Sequence, residues 1–229
     1  RDAPIKLKAF RPSFLLESVE GGERLGRYSF VGFGEALELK LGPDGLWCGG
    51  QAYGVPAGQA ELLSALRDAL SRAPRPQAEG AAPDFPLAGG LVGYAAYDVV
   101  RYFEKLPRRI NRGSPVPDLH YVAPQSLLVF DHLTRGIALL HAGSEAERQS
   151  LRREVIRALR GGMPADPARR GSYSPASASM SQAQFLDGVG RTQEYIAAGD
   201  VYQLVLSVRF GGRHDLDPFE VYRALRLIN

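Results

Sequence analysis

Apolar and polar residues alternate in the front part of the chain with the period of a strand. The segment 29–41 ends in Leu37, Leu39 and Leu41, and Gly42-Pro43-Asp44-Gly45 follows it directly. Alternation with period two is typical of a half-buried strand, and this quartet is typical of a turn. We therefore predict a hairpin here. Further strands are predicted over 87–97 and over 126–140, the latter turning at Thr134-Arg135-Gly136.

Two other segments of the front part have leucine, valine and isoleucine at helical spacing. One extends from position 59 to 73, with Pro74 and Pro76 just beyond it, and the other from 146 to 160. Because an amphipathic helix buries its apolar stripe, we expect both helices to cover a sheet.

A third amphipathic helix is predicted after Ser181. Ser181 and Gln184 form a capping box, and Gly199 suits the position just past the helix end. The next segment, 201–210, is predicted as a strand. Strand alternation would place one set of side chains on an apolar side and another in a position to line a pocket. The apolar set is Tyr202, Leu204, Leu206, Val208 and Phe210, and the polar set is Gln203, Ser207 and Arg209.

Composition changes along the chain and indicates two domains. Residues 161–179 are rich in Gly, Pro, Ser and Ala, and they lack a large apolar set. Such a segment is typical of a linker. We predict a first domain over 1–160, a flexible linker over 161–180 and the start of a second domain over 181–229. Asp217-Pro218 predicts the N-terminus of a last helix.

Overall composition narrows the class of protein. The 229 residues are 45% hydrophobic, yet no apolar run reaches the roughly 18 residues that a membrane span needs. The chain begins without a secretory pattern, and its single cysteine, Cys48, cannot form an internal disulfide. These features favour the cytoplasm and predict no membrane partner. Basic residues gather between Arg152 and Arg170, but glutamates lie among them, so a solvated helix face is favoured over nucleic-acid binding.

Glycine-rich residues 89–94 do not fit a phosphate-binding loop, because no Lys-Ser or Lys-Thr follows the glycines. Glycines inside a strand more often mark a bulge or a close approach of two backbones, and we predict that role here. Leu15-Leu16-Glu17-Ser18 is a stronger candidate for chemistry, since a carboxylate and a hydroxyl directly follow an apolar run. Glu17 must lie at an exposed strand end or meet a cation or backbone donors.

Four blocks of the chain resemble the anthranilate synthase component I family of chorismate-utilising enzymes. They include Leu15-Leu16-Glu17-Ser18 and Gly199-Asp200-Val201-Tyr202-Gln203, and they follow the family's order over 12–32, 89–98, 117–133 and 196–207. The resemblance implies an α+β fold of antiparallel β-sheets packed face to face with helices outside, in a chain that forms the front half of the enzyme.

The resemblance also implies a function. An enzyme of this family would be a lyase of tryptophan biosynthesis, converting chorismate and ammonia to anthranilate and pyruvate. Its cofactor would be Mg²⁺, with ligands outside this chain, and a glutamine amidotransferase partner would supply the ammonia. L-tryptophan would inhibit it by binding at Leu16, Glu17 and Ser18. The front half alone would be inactive.

Gln203 distinguishes between the reactions catalysed by the chorismate-utilising enzymes that the chain resembles. Isochorismate synthases have a lysine at this position, proposed to activate water, whereas a neutral amide cannot act as a base near neutral pH. Gln203 therefore favours ammonia as the nucleophile and is the candidate catalytic, pocket-lining residue. Two alternatives stay open: 4-amino-4-deoxychorismate synthase, which shares the glutamine, and a non-catalytic tryptophan-binding remnant.

Overall fold

The computed structural model describes residues 3–17, 26–77, 85–106, 116–162, 171–226 and 228. The chain divides into two compact units, residues 1–164 (unit 1) and residues 165–229 (unit 2). The division falls inside the segment that the sequence analysis assigns to a linker.

Unit 1 is built around a seven-stranded antiparallel sheet. Its strands are β1 (Phe14–Leu16), β2 (Tyr28–Gly42), β3 (Gly45–Cys48), β4 (Gln51–Gly54), β5 (Val92–Ala95), β6 (Leu119–Asp131) and β7 (Gly136–His141). Its helices are α1 (Ala3–Lys6), α2 (Gln59–Arg72) and α3 (Glu145–Arg160), with 3₁₀ turns over Lys8–Phe10 and Tyr97–Tyr102.

The long strands β2 and β6 pair with each other along almost their whole length. A bulge between Phe33 and Ala36 divides the pair into two halves. In the half that contains the start of β2, the strand order is β1-β2-β6-β7. In the half that contains its end, the order is β4-β3-β2-β6-β5.

Each half of the sheet has its own hydrophobic core. Around the end of β2, Leu39 and Leu41 pack with Leu62 and Ala69 of α2. Around its start, both faces are covered. One face packs with Leu7 and with Val155 of α3, and the other packs with Phe85 and Leu87. The three clusters bury most of the alternating apolar positions, and we expect this burial to be the main source of stability for the sheet.

Helix α3 is fixed at both ends. Ser144 accepts a hydrogen bond from the Glu147 amide, and Glu147 accepts one from the Ser144 amide, so the two form a capping box. At the other end, Lys6 Nζ donates to the carbonyls of Leu159 (2.9 Å) and Gly161 (2.8 Å). A cation at a helix C-terminus is favourable because that end of the helix dipole is negative.

Unit 2 has α4 (Gln182–Ala197), α5 (Pro218–Leu225) and a two-stranded sheet of β8 (Ser177–Ala178) and β9 (Phe210–Gly211). The predicted capping box of Ser181 and Gln184 is confirmed, as are the positive φ of Gly199 and the Asp217 cap of α5. None of the described residues of unit 2 is buried.

The α+β class and the antiparallel pairing predicted from the sequence are confirmed. So are the hairpin at Pro43-Asp44 and both amphipathic helices of unit 1. Gly93 has the predicted close approach, because a Cβ there would overlap the His120 carbonyl across the strand pair.

The predicted bounds of two strands were wrong. Strand β6 begins at Leu119 rather than 126, and β5 is only four residues long because Gly89 and Gly90 have positive φ and leave the extended conformation.

The strand predicted over 201–210 is largely wrong. Only Phe210 and Gly211 pair, with Ala178 and Ser177. A strand needs a neighbour for its backbone groups, and the described residues offer none to positions 201–208. Its expected apolar side is correspondingly uncovered, with Tyr202 at 95% exposed.

Candidate functional site

The segment predicted to bind tryptophan begins at Leu16, the last residue of strand β1. Phe14, Leu15 and Leu16 pair with Gly32, Val31 and Phe30 of β2. Just before them, the Ser13 amide donates to the Gly32 carbonyl over 2.8 Å. A Cβ at Gly32 would overlap the Phe14 ring, so glycine is required there for the ring to lie across the strand pair.

The side chains at the end of β1 differ in environment. Leu15 packs into the core with Val31 and Leu128, whereas Leu16 is 43% exposed. Glu17 follows as a half-buried residue at the strand end, and Ser18 lies outside the described residues. An apolar side chain and a carboxylate therefore emerge together at one end of the sheet. Their role toward tryptophan stays a prediction.

The residues before β1 hold it in place. Leu7 is almost fully buried, and the Phe10 ring packs edge-on against Phe33 with ring centroids 5.5 Å apart. With Lys6 bound to the end of α3, this segment is tied to the core at several points. We infer that the position of Leu16 and Glu17 is set by the rigid part of unit 1.

A charged pair that the sequence analysis missed lies at the start of β2. Arg27 Nη2 is 2.7 Å from Asp131 Oδ2, and its guanidinium lies 4.8 Å from the centre of the Tyr28 ring. Asp131 also accepts from the amides of Leu133 and Thr134. The Arg27 hydrogen bond holds the pKa of the Asp131 carboxyl well below its usual range. The Asp-x-x-Thr pattern at the end of an apolar run is the sequence signal for such a turn.

Gln203 lies in the segment after α4. Within unit 2 this segment is held by Leu206, which packs against Gly188 of α4, and by hydrogen bonds between Ser179 and Arg209. The Gln203 side chain itself is exposed. Its predicted role in lining a pocket stays a prediction.

Two cavities of unit 1 are lined by residues that the sequence analysis did not select. One, of about 250 Å³, lies between α2 and the β3–β4 hairpin, where Arg72 donates to Tyr53 Oη over 3.1 Å and lies 3.8 Å from Cys48 Sγ. The other, of about 420 Å³, is an open groove beside Lys40 and Trp47. Leu16, Glu17 and Gln203 line neither of them.

The described ranges contain no group of three His, Cys, Asp or Glu side chains placed to hold a metal ion. Among those same residues, no helix has the length and apolar character needed to cross a membrane.

A class of enzymes that bind chorismate matches nearly the whole chain. Residues 11–229 match a family model described as chorismate binding enzyme, and the chain belongs to that family.

Individual relatives share a more specific name. The chain is 39% identical to "Anthranilate synthase component 1" of Thermus thermophilus, over 99% of this chain and 48% of that protein. It is 34% identical to the protein of that name from Streptomyces coelicolor, over 94% of this chain and 41% of that protein. The chain thus spans about half the length of the curated relatives it matches.

The crystal structure of anthranilate synthase component I from Streptococcus pneumoniae has the same fold over most of the chain. Its TM-score is 0.69 at 24% sequence identity, covering 93% of this chain and 47% of that one.

Proposed function

We propose that the protein containing this chain acts as component I of an anthranilate synthase. It would add ammonia to the ring of chorismate, release water and eliminate pyruvate to give anthranilate. The observation that carries the proposal is the similarity to the Thermus thermophilus protein over 99% of this chain, in both units. The chain by itself supplies one front domain and the first elements of a second, so we expect it to be inactive alone.

Gln203 supports ammonia over water as the nucleophile. Water must lose a proton to attack the ring, and an amide cannot accept that proton. Ammonia has its own lone pair and needs no such base. In this proposal Gln203 orients the nucleophile or the ring by hydrogen bonding. The amide equally suits 4-amino-4-deoxychorismate synthase, which is the second candidate.

We propose that L-tryptophan regulates the enzyme through Leu16, Glu17 and Ser18. Glu17 would pair with the ammonium group of the amino acid, Ser18 would add a polar contact, and Leu16 would pack on the ring. The supporting geometry is the partial exposure of Leu16 and Glu17 at the end of a strand that is otherwise fixed.

We expect Mg²⁺ as cofactor and a glutamine amidotransferase as partner for the whole enzyme. When bound, Mg²⁺ would supply positive charge for the carboxylates of chorismate. The described residues do not group into a ligand set, so no step of the mechanism is assigned to the metal through this chain. The partner would deliver ammonia to the site that Gln203 faces.

Replacing Gln203 by Leu in the longest natural form of the protein tests the catalytic proposal. We expect kcat/KM for ammonia-dependent anthranilate formation to fall about 100-fold or more, because an interaction with the reacting groups is lost. The matched control is Gln193→Leu, the same change at an exposed position of α4, which should leave the rate within about two-fold. Equal rates for wild type and Gln203→Leu would remove Gln203 from the site.

Replacing Glu17 by Ala, or Ser18 by Phe, tests the regulatory proposal. We expect the tryptophan concentration for half-inhibition to rise at least ten-fold while the uninhibited rate is kept, since a charge-assisted contact to the effector is lost. The control is Glu35→Ala, at an exposed position of β2. If both variants respond to tryptophan as wild type does, this assignment is wrong. Calorimetry with L-tryptophan on the 229-residue chain tests the alternative of a tryptophan-binding remnant. A remnant would bind the amino acid, and no form of the protein would turn over chorismate.

A further inference from the structure

The cavity between α2 and the β3–β4 hairpin combines apolar and charged lining residues. Leu46 is buried and Ala65 is half-buried, whereas Tyr53, Asp68 and Arg72 are exposed. Its volume of about 250 Å³ is smaller than the roughly 300–1,000 Å³ of a typical drug-sized pocket. The cavity therefore suits a small metabolite that has one apolar part and one charged part.

The two charged side chains nearest each other in this lining do not pair. Asp68 and Arg72 are four residues apart on α2, a spacing at which an aspartate and an arginine can form an ion pair. Arg72 instead extends to the hairpin, where its Nη1 donates to Tyr53 Oη over 3.1 Å and lies 3.8 Å from Cys48 Sγ. Within the described residues, the Asp68 carboxylate forms no ion pair and accepts no hydrogen bond. The cavity is thus bordered by two opposite charges that are held apart.

The other carboxylate of the lining already has a partner. Glu61 lies about two turns before Asp68 on α2, and its Oε2 accepts from the Ala57 amide over 2.8 Å. Glu61 therefore helps to fix the loop that leads into α2. The Arg72 guanidinium has several N–H donors, and Tyr53 accepts from only one of its nitrogens. The remaining guanidinium donors and the Asp68 oxygens are the charged groups that a ligand can satisfy.

The pair of opposite charges selects the class of ligand. A simple anion bound to Arg72 would be repelled by Asp68, and a simple cation bound to Asp68 would be repelled by Arg72. A neutral apolar compound would cover both charges without pairing either of them. A zwitterion can form a charge-assisted hydrogen bond with each. An α-amino acid has its carboxylate and its ammonium group on one carbon, which suits two side chains whose Cβ atoms lie about 5–6 Å apart on a helix.

We propose that this cavity binds a free α-amino acid with an apolar side chain, separately from the proposed tryptophan site at the end of β1. Arg72 binds the carboxylate, Asp68 binds the ammonium group, and the side chain packs against Leu46 and Ala65. The bound amino acid would link α2 to the hairpin, so it should stabilise the folded state of unit 1. Because exposed ion pairs are weak, we expect a dissociation constant of about 0.1–1 mM.

Calorimetry with L-leucine and with L-phenylalanine, from about 0.1 to 20 mM, on the longest natural form of the protein tests the proposal. We expect at least one of them to bind, and Arg72→Gln and Asp68→Asn each to weaken that binding about five-fold or more, because each removes one charge-assisted contact. Arg67→Gln, the same change at an exposed position of α2 outside the cavity lining, is the matched control. Glu17→Ala controls for binding at the proposed tryptophan site, and both controls should keep the dissociation constant within about two-fold.

Ligand analogues guard against a variant that fails to fold. The N-acetyl derivative of the amino acid that binds lacks the ammonium group, and its amide lacks the carboxylate, so each should bind wild type about five-fold or more weakly than the parent. Asp68→Asn should bind parent and N-acetyl derivative alike, and Arg72→Gln should bind parent and amide alike. Absence of binding by both amino acids overturns the proposal, as does binding that either variant leaves unchanged or analogues that bind wild type as tightly as the parent. Neither residue has a role in the proposed reaction of chorismate, so these outcomes leave the proposed function untouched.

Discussion

Units 1 and 2 begin their longest helices with the same capping box and differ in what those helices bury. Helices α3 and α4 are both 16 residues long, and each starts with a serine whose side chain accepts from the amide three residues on. Helix α3 buries Val155 and Arg148, whereas no residue of α4 is buried. Caps and amphipathic patterns therefore define a helix without defining a core.

The two candidate sites also differ in how firmly the fold holds their residues. Leu16 and Glu17 extend from strand β1, which two buried clusters hold in place through Leu15 and Phe14. Gln203 lies in an unpaired segment of unit 2 with an exposed side chain. We infer that the buried core of unit 1 fixes the position of Leu16 and Glu17, whereas no buried residue of the described part of unit 2 fixes Gln203.

Removal of a core side chain should show the largest difference between the units. Leu39→Ala leaves a cavity beside α2, and we expect the free energy of unfolding of unit 1 to fall by about 3 kcal/mol or more. Leu204→Ala, at a partly exposed position of unit 2, should change the stability of unit 2 by less than about 0.5 kcal/mol. Urea denaturation followed by Trp47 fluorescence measures the effect in unit 1, and amide hydrogen exchange measures the effect in unit 2. Equal effects would contradict the contrast between the cores.

Glycine replacements should act in opposite directions in the two units. Gly93→Ala forces a Cβ into the His120 carbonyl, and we expect a loss of about 2 kcal/mol in unit 1. Gly190→Ala in α4 meets no atom within 4 Å, so higher helix propensity should stabilise that helix by about 0.5–1 kcal/mol. Urea midpoints for unit 1 and amide hydrogen exchange of α4 would show whether the signs differ as expected.

The two capping boxes offer the same chemical change in each unit. Ser144→Ala should lower the free energy of unfolding of unit 1 by about 1 kcal/mol, because α3 is part of its cooperative core. Ser181→Ala should accelerate hydrogen exchange in the first turn of α4 and leave the Trp47 transition unchanged. A shift of that transition by Ser181→Ala would show that the units unfold together.

The smallest expected effect concerns two carboxylates and depends on pH. Arg27 lowers the pKa of Asp131 in unit 1, and the Ser172 amide lowers the pKa of Asp215 in unit 2. A carboxyl whose pKa is lower in the folded than in the unfolded state stabilises the fold at pH values above its unfolded pKa of about 3.9. This stabilisation is lost as the pH falls below that value. The melting-temperature difference between wild type and Asp131→Asn should therefore be constant above about pH 5 and shrink below about pH 4. Asp215→Asn should not move the unit 1 transition at any pH.

The sequence predicts unit 1 better than unit 2 for a physical reason. The leucines at 37, 39 and 41 and the turn at Pro43-Asp44 are local patterns, and the strand partner lies close in the chain. The pairing of residues 119–124 with the end of β2 is not local, and His120, Pro124 and the following Gln125 hide the alternation there. In unit 2 apolar and polar residues alternate over 201–210, but most of this segment has no partner strand. The pattern alone therefore predicts a longer strand than the structure has. Arg27 and Asp131 pair across 104 residues, which no local pattern reveals.

The product formed from chorismate, ammonium and Mg²⁺ by the longest natural form of the protein, identified by chromatography and mass, tests the proposed function most directly. We expect anthranilate, formed at a rate that falls as L-tryptophan is added. Formation of 4-amino-4-deoxychorismate or isochorismate instead, or no turnover by a folded protein supplied with both reactants, would contradict it.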